Sequence, residues 1–167
     1  VQAGTYSFTV EQTAQSQALA FTGFSDPTDA VGEGSLSFSF GSWARDGNGD
    51  INGAFSLDAD QDVQTITIDS SNNSLRGLRD EINQGDFGVT AAIVFDGSSY
   101  NLTIRAESGE EQQLEITVAE AGGAPSNTDN TGLSRFAFNT AVTGFETSET
   151  QAGRDAQVTI NGLSVAR

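Results

Sequence analysis

Alternation of apolar and small polar residues recurs along most of this chain and is the first clue to its fold. A period of two residues is typical of half-buried β-strands, whose side chains point alternately to a core and to solvent. The segments with this pattern are residues 4–10, 35–41, 54–57, 63–69, 89–95, 100–106, 113–118 and 134–142. The sequence therefore predicts a mainly β fold.

One segment, residues 74–84, has the period of an amphipathic helix instead. Leu75, Leu78 and Ile82 stand three and four residues apart, so they share one face of a helix. Gly77 lowers the stability of such a helix by about 1 kcal/mol relative to alanine. We therefore expect the helix to be held in place by packing of its apolar face on a sheet. The strands around it give the order β-α-β-β-β.

A second local signal lies near the C-terminal end, where Asn161 and Gly162 stand between two alternating runs. A two-residue β-hairpin turn needs positive φ at both of its central residues, and Asn-Gly accepts this readily. The sequence therefore predicts that the runs on either side of Asn161 and Gly162 pair as a hairpin.

Residues 45–55, RDGNGDINGAF, raise the possibility of a calcium site. Every second position carries an oxygen-bearing side chain: Asp46, Asn48, Asp50 and Asn52. Ca²⁺ takes six to eight oxygen ligands, but the loop of a helix-loop-helix calcium hand also needs a glycine at its sixth position and a glutamate at its twelfth. Ile51 and Leu57 occupy those positions here. Because strand patterns flank the segment, we interpret it as a hairpin turn with only weak affinity for Ca²⁺.

Composition limits the chemistry that the chain can perform. The 167 residues carry a net charge of −16, with no histidine or cysteine, and all seven cations are arginines. A chain so acidic is not expected to bind nucleic acid or an anionic membrane. Without histidine and cysteine, the usual general base and the thiolate ligand of zinc are missing. We therefore predict a protein that is not an enzyme and holds no cofactor.

Two features leave alternatives open. Asp58, Asp60 and Asp62 alternate along the chain, and a glycosidase needs only two suitably spaced carboxylates, although such runs are usually solvated turns. Trp43 is the only tryptophan and stands next to a polar loop. It either closes a hydrophobic core or forms a surface platform for a sugar.

Motifs in residues 66–118 go beyond fold class. They combine an Ile-Thr strand, an Asn-Asn-Ser-Leu entry into a Leu-Arg-Asp-Glu-Ile-Asn helix, and a glycine-centred hairpin. This combination resembles the hook-type motif of flagellar hook-associated proteins and some flagellins. Residues 4–20 and 31–41 resemble the N-terminal region of the bacterial flagellar filament-capping proteins, the hook-associated protein 2 family. Residues 153–167 resemble the segment that opens the C-terminal region of that family.

The resemblance implies a structural role in the bacterial flagellum, with this chain as a middle piece of a family member. Such a piece would form the plate domains of the filament cap, which promotes flagellin assembly outside the cell at the flagellum tip. The implied partners are flagellin and other copies of the protein in a cap ring. Two alternatives stay open: an adhesion module at the tip that binds host mucin or environmental glycans, and an outer domain of flagellin or of another hook-associated protein.

The same reasoning predicts two β-rich modules, one inserted in the other. Residues 1–30 and 131–167 are expected to form a discontinuous β domain, and residues 31–121 an inserted domain that contains the helix. Residues 122–130 are rich in Gly, Pro, Ser, Asn and Asp and are expected to link the two.

Calcium binding by residues 45–55 can be measured directly. We expect calorimetry with millimolar Ca²⁺ to show weak binding at most, because Ile51 and Leu57 replace the turn glycine and the closing glutamate. Asp46→Asn is the control, and it should leave the heat signal unchanged. A dissociation constant in the micromolar range that Asp46→Asn abolishes would contradict the hairpin interpretation.

Overall fold

The fold is seen in a computed structural model, which describes residues 6–122 and 131–166. Within these residues the chain forms eleven β-strands, one α-helix and two 3₁₀ turns. The strands are β1 (Phe8–Gln12), β2 (Ser16–Phe24), β3 (Gly34–Arg45), β4 (Ile51–Leu57), β5 (Gln64–Ile68), β6 (Thr90–Phe95), β7 (Tyr100–Ser108), β8 (Gln113–Glu120), β9 (Glu149–Gln151), β10 (Gln157–Ile160) and β11 (Leu163–Ala166). The helix α1 is Leu75–Gln84, and the 3₁₀ turns are Gly132–Phe136 and Phe145–Ser148. The predicted mainly β fold with one clear amphipathic helix is confirmed.

The strands form three antiparallel sheets. β1, β10 and β11 make a three-stranded sheet, and the second sheet has the order β6-β7-β2-β9. The third sheet is built around β3, a strand of 12 residues. β3 pairs with β5 along its first half, with β4 along its second half, and with β8 on its other side. Both edges of β3 are therefore used.

A single hydrophobic core contains residues from the second and third sheets and from α1. Leu19 of β2 and Leu36 and Phe38 of β3 have no exposed surface. Phe136, from the first 3₁₀ turn, stacks on Phe24 of β2 with ring centroids 5.6 Å apart. The three-stranded sheet contributes no residue to this core. The core therefore joins two of the three sheets.

The helix α1 packs its predicted face against the neighbouring strands β5 and β6. Leu75, Leu78 and Ile82 are fully buried, as the sequence predicts. Asn83 fixes the helix to β6, since its side-chain amide donates to Ala91 O (2.9 Å) and its side-chain oxygen accepts from Ala91 N (2.8 Å). Among the described residues, no helix has the length and apolar character that crossing a membrane requires.

Gly77 has a packing role that its helix propensity alone does not reveal. A Cβ at this position would lie 2.0 Å from Asn72 O, so a larger residue does not fit unless the chain moves. This close approach belongs to the start of the helix, where Ser74 Oγ accepts a hydrogen bond from Gly77 N (3.1 Å). The glycine is needed because the preceding turn lies directly against the helix.

The structure differs from the prediction over residues 134–142, which form no β-strand. The segment begins within the 3₁₀ turn Gly132–Phe136, and Phe138 then pairs with Ile116 of β8 through an isolated bridge. Asn139 bonds the same strand through its side chain rather than its backbone, donating to Ile116 O (2.8 Å). The alternating phenylalanines here reflect burial in the core and not strand pairing.

β2 departs from the predicted division of the chain into modules. This strand lies within residues 1–30, predicted to belong to the discontinuous domain, yet it pairs with β7, which lies in the predicted insertion 31–121. The predicted boundary would split this sheet, because Leu19 stands opposite Ile104 in register. The division into two modules stays a prediction, and residues 123–130 of the predicted linker lie outside the described residues.

The buried face of α1 can be tested with a pair of substitutions. We expect Leu78→Ala to lower the free energy of unfolding by about 2–4 kcal/mol, since it opens a cavity under the helix. Arg76→Ala, on the exposed face, should cost under about 0.5 kcal/mol. The denaturant midpoints of the two variants measure this, and equal losses would contradict the assignment of the faces.

Candidate functional site

The hairpin between β3 and β4 carries the candidate calcium ligands. Asp46 is used by the turn itself, since its Oδ1 accepts hydrogen bonds from Asn48 N (2.8 Å) and Asp50 N (3.1 Å). Asn52 lies beyond the turn, in β4. The described part of the chain contains no group of three or more acidic, histidine or cysteine residues placed to hold a metal ion. The hairpin interpretation is confirmed, and weak Ca²⁺ binding stays a prediction.

Arg45, the last residue of β3, is the centre of a cluster of polar side chains. We define the polar junction as four residues: Arg45, Glu149, Gln17 and Gln113. Both terminal nitrogens of Arg45 donate to the carboxylate of Glu149, at 2.7 Å each. Nη1 of Arg45 also donates to Gly49 O (3.0 Å) in the hairpin turn, and Nη2 to Gln113 Oε1. The Arg45 and Glu149 side chains are only 16% and 10% exposed, so the pair is largely shielded from water.

The polar junction joins strands from both larger sheets. Gln17 of β2 donates to Glu149 Oε1 (2.7 Å) of β9, and its side-chain oxygen accepts from Leu114 N (2.7 Å) of β8. The side-chain amide of Gln113 donates to Glu110 O (2.8 Å). Both glutamines are buried and hydrogen-bonded, which limits the cost of burying them. The junction therefore fixes β3 and β8 against β2 and β9.

Sequence patterns do not reveal the polar junction, because its members are far apart in the chain. Arg45 and Glu149 are separated by 104 residues. One feature of the sequence could have pointed to Arg45. It is one of only seven cations in the chain, and it stands at the end of an alternating strand pattern. The segment 45–55 thus matters structurally through Arg45 and Gly49 as well as through Asp46.

Trp43 lies inside the protein, so its interpretation as a surface platform for a sugar is wrong. The residue is 3% exposed, and its Nε1 donates to Leu114 O (2.9 Å). The rings of Phe55, Phe138 and Phe145 surround the indole, with centroids 4.9, 5.6 and 5.1 Å from its own. The alternative interpretation, that Trp43 closes a hydrophobic core, is confirmed.

Asn161 and Gly162 form the predicted hairpin turn between β10 and β11. Their φ angles are 50° and 84°, the positive values that such a two-residue turn requires. Asn161 also holds the chain next to β1, since its Oδ1 accepts from Ser7 N (2.8 Å) and its backbone N donates to Ser7 O (2.9 Å). The turn therefore connects all three strands of the three-stranded sheet.

Several aspartates in turns make local hydrogen bonds. One of them is Asp58, a candidate carboxylate for glycosidase chemistry. Asp58 accepts from Gln61 Nε2 (2.9 Å) and from Asp60 N (3.0 Å). These two bonds lower the pKa of the Asp58 carboxyl, and the bond from the Gln61 side chain has the larger effect. Asp96 lies in the turn between β6 and β7, where a bond from the Asn101 side chain and further bonds from the turn hold its pKa well below the usual range. Carboxylates of this kind suit turn formation rather than proton transfer near neutral pH.

One face of the β6-β7-β2-β9 sheet carries small, uncharged side chains, and we call it the small-residue face. Its members alternate with inward-facing residues along three strands: Ala18, Ala20, Thr22, Thr90, Ala92, Val94 and Thr103. Two charged residues of β7 stand beside them: Arg105, opposite Ala18 and Thr90 in register, and Glu107, two residues further along the same side of the strand. These uncharged side chains set the face apart in a chain with a net charge of −16.

Comparison with solved structures gives the class of protein. FliD (HAP2) from Pseudomonas aeruginosa PAO1 has a TM-score of 0.69 and 27% identity, covering 99% of this chain and 67% of that chain. The flagellar cap protein FliD D1-D2-D3 domains from Escherichia coli have a TM-score of 0.74 at 24% identity, covering 99% of this chain and 43% of that chain. The chain therefore has the fold of flagellar cap protein domains.

No protein-family model matches the chain. Comparison with curated proteins shows which flagellar proteins it is similar to. The B-type flagellar hook-associated protein 2 of Pseudomonas aeruginosa is 31% identical over 170 residues, which cover 96% of this chain. The flagellar hook-associated protein 2 of Escherichia coli K12 is 28% identical and matches 98% of this chain. The chain spans 31% and 27% of the lengths of these relatives. The resemblance to hook-associated protein 2 is confirmed over nearly the whole chain.

The polar junction can be tested by removing one partner of its ion pair. We expect Glu149→Ala to lower the free energy of unfolding by about 2–4 kcal/mol, because it leaves the Arg45 charge largely buried without a counterion. The matched control is Asp80→Ala at the Arg79–Asp80 pair, whose side chains are 31% and 47% exposed, and it should cost under about 1 kcal/mol. Denaturation followed by Trp43 fluorescence measures both, and equal losses would refute a special role for the junction.

Proposed function

We propose that this chain is a structural part of the cap at the distal end of a bacterial flagellar filament, outside the cell. The observation that carries the proposal is the similarity to hook-associated protein 2, which continues at 31% identity over 96% of this chain. Because the chain spans about a third of that relative's length, we propose the role of plate domains rather than that of a whole cap protein.

A mechanical role suits the geometry of the fold. A cap must keep its shape while flagellin is assembled beneath it, so its domains have to resist deformation. The hydrophobic core and the polar junction hold the two larger sheets in fixed positions, which supports such a role. We propose that the chain acts through its surfaces, with flagellin as a partner, and catalyses no reaction.

Other copies of the protein are the second proposed partner, arranged as a ring. Copies that each carry a net charge of −16 repel one another, so contact is favoured where carboxylates are missing. The seven members of the small-residue face carry no carboxylate, and their short side chains allow close approach. Arg105 at this face is placed to pair with a carboxylate of a neighbouring copy.

The adhesion hypothesis has lost its candidate residue. Trp43, the predicted glycan platform, is buried among three phenylalanine rings, so we do not propose host mucin or other glycans as partners. The remaining alternatives are a domain of flagellin and a domain of another hook-associated protein. Each of these would lie at a different position on the flagellum from a cap. Position is therefore the property to measure.

Immunogold labelling of flagella from the source organism tests the proposal. Antibodies raised against the purified chain should label the distal end of each filament and no other region. Electron microscopy then compares the gold particles at the tip, along the shaft and at the junction with the hook. The control is the same antibody absorbed beforehand with the purified chain.

Three different labelling patterns would overturn the cap proposal and assign another role. Label along the shaft would indicate a domain of flagellin. Label at the junction with the hook would indicate another hook-associated protein. Flagella that carry no specific label, in cells shown by immunoblot to make the protein, would place the chain outside the flagellum.

A further inference from the structure

A cleft of about 520 Å³ is lined by residues of β2, of the first 3₁₀ turn and of the segment 141–148. A cleft of this volume is large enough to take a ligand or a segment of another protein. Its lining combines apolar side chains with hydroxyl groups and contains one charged residue, Arg135. We call it the arginine cleft and define it by six of its lining residues: Phe21, Thr22, Arg135, Val142, Thr143 and Phe145.

The guanidinium group of Arg135 is held in place by its own chain but has no acidic partner there. It lies over the ring of Phe24, with Cζ 4.0 Å from the ring centroid. Its Nη2 donates to Thr22 O (2.8 Å). The ion pairs among the described residues are those of Arg45 and Arg79, so Arg135 takes part in none. A guanidinium that is fixed in this way and keeps free N–H groups is suited to bind a carboxylate.

The glutamates nearest in sequence to the arginine cleft do not supply this carboxylate. Glu146 of the second 3₁₀ turn is exposed and is not part of the lining. Glu149 is already paired with Arg45. A carboxylate of another molecule would therefore gain an ion pair with Arg135 without displacing one. The cleft is thus suited to an acidic partner.

One turn of this chain has the matching chemistry. We call residues 57–63, LDADQDV, the acidic turn. Asp60 and Asp62 are exposed, and their carboxylates make no hydrogen bond within the described structure. Leu57 and Val63, at the two ends of the turn, are 56% and 50% exposed, so the turn presents its carboxylates between two apolar side chains. No residue of the acidic turn lines the cleft of its own chain.

The turn between β6 and β7 also has an aspartate beside an exposed apolar residue, but it is a poorer match. Phe95 is 55% exposed there. The carboxylate of Asp96, however, accepts hydrogen bonds from Ser98, Ser99 and Asn101. A carboxylate that already has several donors in its own turn gains less from a further partner.

We propose that the acidic turn of one copy of the chain binds in the arginine cleft of the next copy, with Asp60 paired to Arg135. Ala20 and Thr22 line the cleft and also belong to the small-residue face, so this contact is continuous with the surface proposed for neighbouring copies. The two binding surfaces differ, so the contact repeats from copy to copy and either closes a ring or extends a chain. The inference rests on the proposed ring of copies and names a contact that would build it.

Disulfide trapping tests the contact, because the chain has no cysteine of its own. One protein carries Ala59→Cys in the acidic turn, and a second carries Thr143→Cys in the arginine cleft; both positions are exposed. The two are mixed under mild oxidation at about 0.15 M salt, where the Debye length is about 8 Å. The mixed dimer should form at least about 10-fold faster than with Gln84→Cys, an exposed position on α1, in place of Thr143→Cys.

An exchange of charges shows whether Arg135 and Asp60 carry the contact. Arg135→Glu in the cleft protein should lower the rate to that of the Gln84→Cys control, and Asp60→Arg in the turn protein should then restore it. The matched control replaces Arg135→Glu by Arg76→Glu, at an exposed residue of α1, which changes the net charge equally. With the Asp60→Arg turn protein, this control should not restore the rate. Trp43 fluorescence checks that the main core is intact in each variant.

Three results would overturn the proposal: a mixed dimer that forms no faster than the Gln84→Cys control, a rate that Arg135→Glu leaves unchanged, and an exchange of charges that restores no more than the Arg76→Glu control. The first measurement leaves Arg135 in place, so it decides the question even if Arg135→Glu disturbs the packing on Phe24. Any of these results, with gold label still at the filament tip, would remove this contact and leave the cap proposal standing.

Discussion

The position of β3 is the constraint on which both larger sheets depend. β3 is paired on both edges, so β4, β5 and β8 take their positions from it. Burial of Leu36 and Phe38 supplies the hydrophobic stabilisation of the strand, which is not directional. Arg45 at the end of the strand adds a directional interaction, because its bidentate contact with Glu149 requires a specific geometry of the two side chains. Apolar burial thus holds the sheets together, and the polar junction sets how they meet.

The local elements of the fold can be predicted because their determinants lie within a few residues of one another. Leu78 and its neighbours on one helical face mark the side of α1 that is buried, and Asn161 with Gly162 provides the positive φ angles of a tight turn. The resemblance to hook-associated protein 2 likewise rests on contiguous motifs such as residues 66–118. Even here tertiary structure adds information, since Gly77 is required by the close approach of Asn72.

The candidate site could not be predicted in the same way, because its contacts join distant regions of the chain. Nothing in the residues around Arg45 indicates that its partner is Glu149, 104 residues away. Trp43 stands beside a polar loop in the sequence, but the rings of Phe138 and Phe145 cover it in the fold. Contacts of this kind follow from the register and burial of the whole structure, which a local pattern does not contain.

Several acidic residues lie in turns rather than on the small-residue face. Asp69 and Asp96 accept hydrogen bonds from the residues that follow them, so their charges lie in turns at the ends of strands. The members of the small-residue face are uncharged, and Arg105 and Glu107 of β7 lie beside them. Charges around such faces disfavour contacts elsewhere and direct partners to them. The neighbouring copy that we propose as a partner carries the same net charge, so it would meet the least repulsion at this face.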